Sequence, residues 1–249
     1  MIGVILAAFL AQGAQACPQF FPAGQPPQVQ SVRMICFDGY ALAHAAAMRG
    51  PAWSAEHLTA AGVAQALAAK RAGDFHPEPL LPKAERAELG DYRCAPYDRG
   101  HMTPVGDFGD AAEENDTFTL ANMVPQVPTL NEGLWAGLEG AVRAWAQKDG
   151  DLYIVTGPIY AANPARLKGR VAIPAQTFKA VYDPATGQAA AYVARNDASG
   201  EYHVETIVTL AAEIGFDPFP GLAPDVKSAL TSLPAPLKGN AQLKPRACH

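Results

Sequence analysis

Thr177-Phe-Lys-Ala-Val-Tyr182, Asp183-Pro-Ala-Thr-Gly187 and, after Gln188, Ala189-Ala-Ala-Tyr-Val-Ala194 form the stretch that decides the fold class. Two β-prone runs flank a turn containing Pro and Gly, the pattern of a hairpin. Outward from it, Asp151-Leu-Tyr-Ile-Val-Thr156 reads as a strand ended by Gly157-Pro158, and residues 203–210 alternate well enough for another. Upstream, Met34-Ile-Cys-Phe37 is a short strand. Residues 40–48 are alanine-rich and read as a helical turn, and residues 58–70 as a helix announced by Ser54-Ala-Glu-His-Leu58. Pro77, Pro79 and Pro82 precede a short helical stretch over residues 84–89, and a helical patch lies near residues 225–230 in a proline-punctuated tail. Hairpins mixed with helices, rather than a βαβ series, predict an α+β fold: one domain with a mixed or antiparallel sheet and flanking helices.

The chain has 249 residues, 49% of them hydrophobic and 17% charged, an ordinary composition for a globular protein that folds alone. There is no internal repeat, coiled-coil heptad or low-complexity tract. Residues 2–11 are apolar and Ala14-Gln15-Ala16 follows, the outline of a secretory signal peptide cleaved after Ala16, although no Lys or Arg precedes the apolar run. That run is well short of the roughly 20 residues needed to span a bilayer. The expected division is a signal peptide over 1–16, a disulfide-clipped arm over 17–50 and the main domain over 51–249. The expected location is periplasmic or secreted, with no membrane attachment after cleavage. Four cysteines suit an oxidising destination and lack metal-type spacing. They allow three pairings; Cys17–Cys36 as a local clip and Cys94–Cys248 as a tether for the tail are preferred. Net charge is −5, and residues 1–16 carry none of it. Any hold on nucleic acid must therefore come from a local patch or a metal rather than a basic field.

Between residues 130 and 145, Leu130, Leu134, Leu138, Val142 and Trp145 recur at helical spacing, with Trp135 beside them. At about 100° per residue, Asn131 falls inside this stripe, roughly 60° from Leu134 and 20° from Leu138. An amide on a buried face needs a partner, either neighbouring backbone or a bound cation. Glu139 lies about 80° around from Asn131, at the flank of the stripe. His101 closes Asp98-Arg99-Gly100-His101, so an imidazole that titrates near working pH follows an acid, a fixed cation and a flexible backbone. The remaining histidines, His44, His57, His76, His203 and His249, are not spaced as a zinc cluster, and His57 reads as a capping or packing residue.

These motifs resemble the DNA/RNA non-specific endonucleases, ββα-metal nucleases related to mitochondrial endonuclease G. Asp98-Arg-Gly-His101, Leu120-Ala-Asn-Met-Val-Pro-Gln126, Leu130-Asn131-Glu-Gly-Leu-Trp135 and Leu138-Glu139 follow in the family's order. Trp53-Ser-Ala-Glu-His-Leu58, Val155-Thr-Gly-Pro158, Val181 and Tyr182 extend the likeness over most of residues 50–195. The resemblance implies a ββα-metal core in which His101 is the general base and Asn131 the sole direct protein ligand of Mg²⁺, or of Mn²⁺ or another divalent cation in its place. It implies that Glu139 holds a water of the metal's shell, Asn122 orients its neighbours by hydrogen bonds and Arg99 meets the phosphate. Arg71, in Lys70-Arg71-Ala-Gly-Asp-Phe75, is the candidate second arginine on the substrate. Implied substrates are DNA and RNA without strong sequence preference, because contacts fall on phosphate and metal, and implied products carry 5′-phosphates. The alternative is a catalytically inactive nucleic-acid-binding module on the same scaffold, against which His101 and Asn131 are both intact.

Overall fold

The structure is a computed structural model that describes residues 17–71 and 73–239; residues 1–16 and Cys248, on which two of the expectations above fall, lie outside them. Its centre is a seven-stranded sheet. In chain order the first elements are β1 (Val32–Cys36), β2 (Tyr40–Ala45), β3 (Gly50–Leu58), α1 (Ala60–Ala68), α2 (Leu89–Tyr92) and β4 (Asp98–His101). Then come α3 (Ala111–Thr117), β5 (Met123–Gln126), a π-helical turn (Leu130–Trp135) that runs straight into α4 (Ala136–Asp149), and β6 (Leu152–Ile159). The last are β7 (Arg166–Leu167), β8 (Val171–Ala172), β9 (Gln176–Asp183), β10 (Gln188–Arg195), β11 (Tyr202–Glu205), α5 (Ile207–Ile214) and α6 (Pro224–Ser228). The sheet order is β1-β2-β3-β6-β9-β10-β11, and every neighbouring pair is antiparallel.

Both faces of the sheet are covered, which explains its composition. Alternate residues Trp53, Ala55, Val155, Phe178, Ala180, Ala191 and Val193 face one core with Phe20, Phe21, Ile207, Leu210 and Phe219. Ile154, Val181, Tyr192 and Ala194 face the other, beneath Leu138, Val142 and Ala146 of α4 and Val63 of α1. Strands buried on both sides read as unbroken apolar runs instead of alternating ones. The hairpin of β9 and β10 stands where its turn residues place it, with Gln188 opposite Asp183, and Asp183 Oδ1 accepting from Ala185 N at 2.8 Å.

Several elements differ from expectation. Residues 40–48 are not helical: Tyr40–Ala45 is β2, because alanine's intrinsic helix preference, below about 1 kcal/mol per residue, yields to a place between β1 and β3 where Ala41 and Ala43 enter one core and Tyr40 and Leu42 another. The supposed helix-start signal at Ser54 lies within β3, and α1 begins after Thr59, whose Oγ1 accepts from Gly62 N at 3.0 Å. Residues 84–88 are not helical; α2 begins only at Leu89, its first turn closed by reciprocal Glu88 and Asp91 capping. β6 continues through Gly157-Pro158, and the expected strand over 203–210 divides into β11 and α5. The segment expected as a separate arm, 17–50, supplies β1 and β2 of the common sheet. Its Cys17–Cys36 disulfide is present, with Cα atoms 5.9 Å apart. Cys94 is also disulfide-bonded.

Candidate active site

β4 and β5 form a separate two-stranded ribbon with His101 opposite Met123 and Asp98 opposite Gln126. The π-helical turn and α4 follow directly, so two strands and a helix frame one cleft of about 410 Å³. Gly100 is required here: a Cβ would sit 2.6 Å from Gln126 Cβ and overlap the rest of that side chain. Without it the ribbon could not close.

The cleft brings together Arg71, Arg99, His101, Asn131 and Glu139. Asn131 is the second residue of the π-helical turn, where i→i+5 bonding puts more residues in each turn. The 100° wheel that placed it within the apolar stripe therefore does not hold there, and its side chain turns to the cleft. Asn131 Nδ2 donates to Asp98 Oδ2 at 3.0 Å, which fixes the amide plane and leaves Oδ1 as its free acceptor face. Sequence reasoning gave Asp98 no role of its own; the contact spans 33 residues and has no local signature.

His101 is surrounded by rings and cations. Its ring centroid lies 5.3 Å from that of Phe118, edge to face, and 5.8 Å from that of Phe75. Nε2 is sealed from solvent without a hydrogen-bond partner. Burial, reinforced by Arg71 and then Arg99, pulls its pKa down to about 3. The imidazole is therefore neutral at ordinary pH and keeps a lone pair for a proton. Arg99 is itself lowered by burial and lies over Phe75, with Cζ 3.9 Å from the ring centroid.

Asn122 is not in the cleft. Fully buried, its Oδ1 accepts from Thr103 N at 3.0 Å and its Nδ2 donates to Thr103 O and Thr117 O, both at 2.9 Å. With Met102 N donating to Asn122 O at 3.0 Å, it ties the chain leaving His101 to the end of α3.

Behind Glu139 lies a buried ionic cluster that sequence reasoning missed. Arg143, one helical turn on, donates to Asp107 Oδ1 at 2.6 Å. Burial opposes its charge, but Asp107 and Glu139 outweigh burial and raise its pKa. Lys179, 1% exposed, donates to Thr156 Oγ1 at 2.8 Å. Burial drives the Glu139 carboxyl up to about 7 against the pull of Arg143 and Lys179. Glu56, 2% exposed, has its pKa raised well above the usual carboxyl value by burial and then by Asp107, with Lys179 opposing. The i, i+4 spacing of Glu139 and Arg143 is the one signal in the sequence that announces this cluster.

An amide oxygen and a carboxylate reluctant to ionise alone, on the floor of a cleft walled by arginines, fit a hard cation that keeps most of its water. Among the described residues no three His, Cys, Asp or Glu side chains converge as a metal cage.

The chain has relatives among known nucleases. The chain is 37% identical over 144 residues to "Nuclease 1, mitochondrial" of Schizosaccharomyces pombe, covering 57% of this chain and 44% of that one. It is 33% identical over 160 residues to "Nuclease C1" of Cunninghamella echinulata var. echinulata, covering 59% and 64%. It thus spans roughly half to two thirds of these relatives' lengths. A crystal structure of the EndoG/EndoGI complex contains a chain that superposes with a TM-score of 0.75 at 27% identity, covering 84% of this chain and 93% of that chain. The family model for DNA/RNA non-specific endonucleases matches residues 19–225, and the chain belongs to that family.

Proposed function

We propose that this protein is a divalent-metal-dependent endonuclease that hydrolyses phosphodiester bonds of DNA and RNA and leaves 5′-phosphates. The observation that carries the reading is the convergence, on one cleft, of a neutral imidazole at His101, an amide at Asn131 fixed by Asp98, and the guanidinium groups of Arg71 and Arg99. Arg99 and Arg71 hold the phosphate. With Nε2 sealed, Nδ1 of His101 is the nitrogen that takes the proton of the attacking water. A pKa of about 3 makes a weak base, but an arriving phosphate offsets the fields of Arg71 and Arg99 that depress it. Basicity therefore rises when substrate is in place.

Asn131 Oδ1 would hold the cation directly and Glu139 would hold one of its waters; Mg²⁺, or Mn²⁺ in its place, suits this oxygen donor set. When bound, such an ion supplies charge stabilisation at the phosphoryl oxygens and the departing 3′-oxygen. Glu139 ionises more readily beside a cation, and Arg143 keeps its carboxylate facing the cleft. Export to an oxidising compartment, periplasmic or extracellular, belongs to the same reading and is supported by the Cys17–Cys36 disulfide; residues 1–16 would be the leader.

The test is cleavage of supercoiled plasmid and of RNA with Mg²⁺ or EDTA, beside His101→Ala and Asn131→Ala. Both substrates should be cut only with metal, and His101→Ala should lose about 10²–10⁴-fold in rate. Undiminished cutting by His101→Ala would remove it from the base role. Binding without cutting by the wild type would favour the inactive module.

A further inference from the structure

Arg99 and His101 share an unusual property: among the described residues neither side chain is held by a polar partner. Among the described residues, Arg99 forms no ion pair, and His101 Nε2 is sealed without a hydrogen bond. What touches both is a single ring. Phe75 lies under the Arg99 guanidinium at 3.9 Å, stands 5.8 Å from His101 and meets Phe118 at 5.0 Å, nearly perpendicular. Phe118 closes the other side of the imidazole at 5.3 Å.

The backbone fixes that ring firmly. His76 N donates to Phe118 O at 3.3 Å, and Leu120 N donates to His76 O at 2.7 Å, so residues on either side of Phe75 and Phe118 are stitched together. Gly73 lies at φ +133°, and a Cβ there would come within 2.5 Å of the Phe118 ring. The loop that carries Arg71 is thus drawn against the aromatic pair.

We propose that Phe75 is a positioning residue that sets the phosphate-binding Arg99 and the base His101 in register, the first through its π face and the second through a tilted ring contact backed by Phe118. This rests on the endonuclease reading above. A cation over an aromatic face is attracted by the ring quadrupole, while Phe75, tilted 48° to the imidazole, also braces Phe118, which stands nearly perpendicular to His101, and such ring contacts fix orientation without hydrogen bonds. One ring can therefore aim a cation and an imidazole together where a carboxylate would neutralise the first and protonate the second. The polar alternative would spoil the site it positions.

The experiment replaces Phe75 with Leu, Tyr and, by amber suppression, a graded series of fluorinated phenylalanines that keep its shape while emptying its π face. Rates on plasmid and the affinity of a short oligonucleotide in EDTA are measured for each, alone and with Arg99→Ala. Phe75→Leu should lose about ten- to a hundredfold in kcat with a smaller change in KM, and Tyr should restore most of it. The fluorinated series should fall stepwise with fluorination at unchanged melting temperature, and the effect should largely vanish in the Arg99→Ala background. A wild-type protein that cuts while the fluorinated series cuts equally well, or an effect that multiplies unchanged through Arg99→Ala, overturns the role of Phe75 and leaves the endonuclease reading standing. A wild-type protein that neither binds nor cuts overturns both.

Discussion

Asp98 does for Asn131 what no distant stretch of sequence announces: a carboxylate takes the amide's hydrogen so that its oxygen is presented. Asp98→Ala should leave the fold nearly intact and cut Mn²⁺ affinity, read by calorimetry, by about 10–100-fold, the usual effect of losing a group that orients a ligand. Asn131→Ala should abolish binding at this site, and unchanged affinity in Asp98→Ala would show that the amide orients itself. Glu56 gives the pH prediction. Its folded pKa is raised by burial and then by Asp107, so the folded protein retains a proton that the unfolded chain releases near pH 4.3. That stabilisation is full below the unfolded value and is lost as pH rises through the folded one. Glu56→Gln mimics the protonated acid, so its melting temperature in EDTA should gain on the wild type as pH rises above the unfolded carboxyl's value, at about 2–4 °C per kcal/mol. A gap that does not widen with pH would disprove the assignment. His101 and Asn131 were legible because the family motif marks them. Asp98 and Glu56 act through contacts made only on folding, and sequence leaves those unmarked.

Among the elements, α4 shows how an apolar stripe can be read correctly while its first turn is misjudged. Leu138 and Val142 do face the core, but the stripe assumes α geometry and the helix opens with a π-helical turn. The same helix carries a strap. Leu237 N donates to Gly137 O at 3.0 Å, Gly140 faces the Leu237 side chain, and Tyr192 Oη donates to Pro234 O at 2.7 Å. A Cβ on Gly137 would overlap the Leu237 carbonyl oxygen. Gly137→Ala therefore sets a gain of about 1 kcal/mol in helix propensity against displacement of the strap. Displacement should win: the melting temperature should fall and residues 230–239 should become open to protease. A rise matching the propensity gain would mean that the strap contributes nothing. β2 was misread for the opposite reason: alanine's local preference is real but smaller than the demand of a strand packed on both sides.

Over the whole molecule, the net charge of −5 and the cleft's arginines make opposite demands on an anionic substrate, and salt separates them. If Arg71 and Arg99 each displace one counterion, the log–log dependence of duplex binding on salt should have a slope near −2, falling to near −1 for Arg71→Ala, at about −0.9 per contact. A wild-type slope near zero would remove the local patch from the account. The α+β class was legible from one hairpin, whereas strand order was not: Ser54 pairs with Thr156, and no local pattern selects a partner at that distance. The sheet's first strand has a consequence of a different kind. β1 is an edge, and Cys36 at its end is bonded to Cys17. Such a bond persists where thiols are oxidised and is lost where they are kept reduced, so under the proposed export the margin of the sheet would be secured only after the chain has left the compartment that made it. On the proposed function, the clip gives the producing cell a measure of immunity: a protein able to shred its maker's genome and transcripts is fully fastened only on the far side of the membrane.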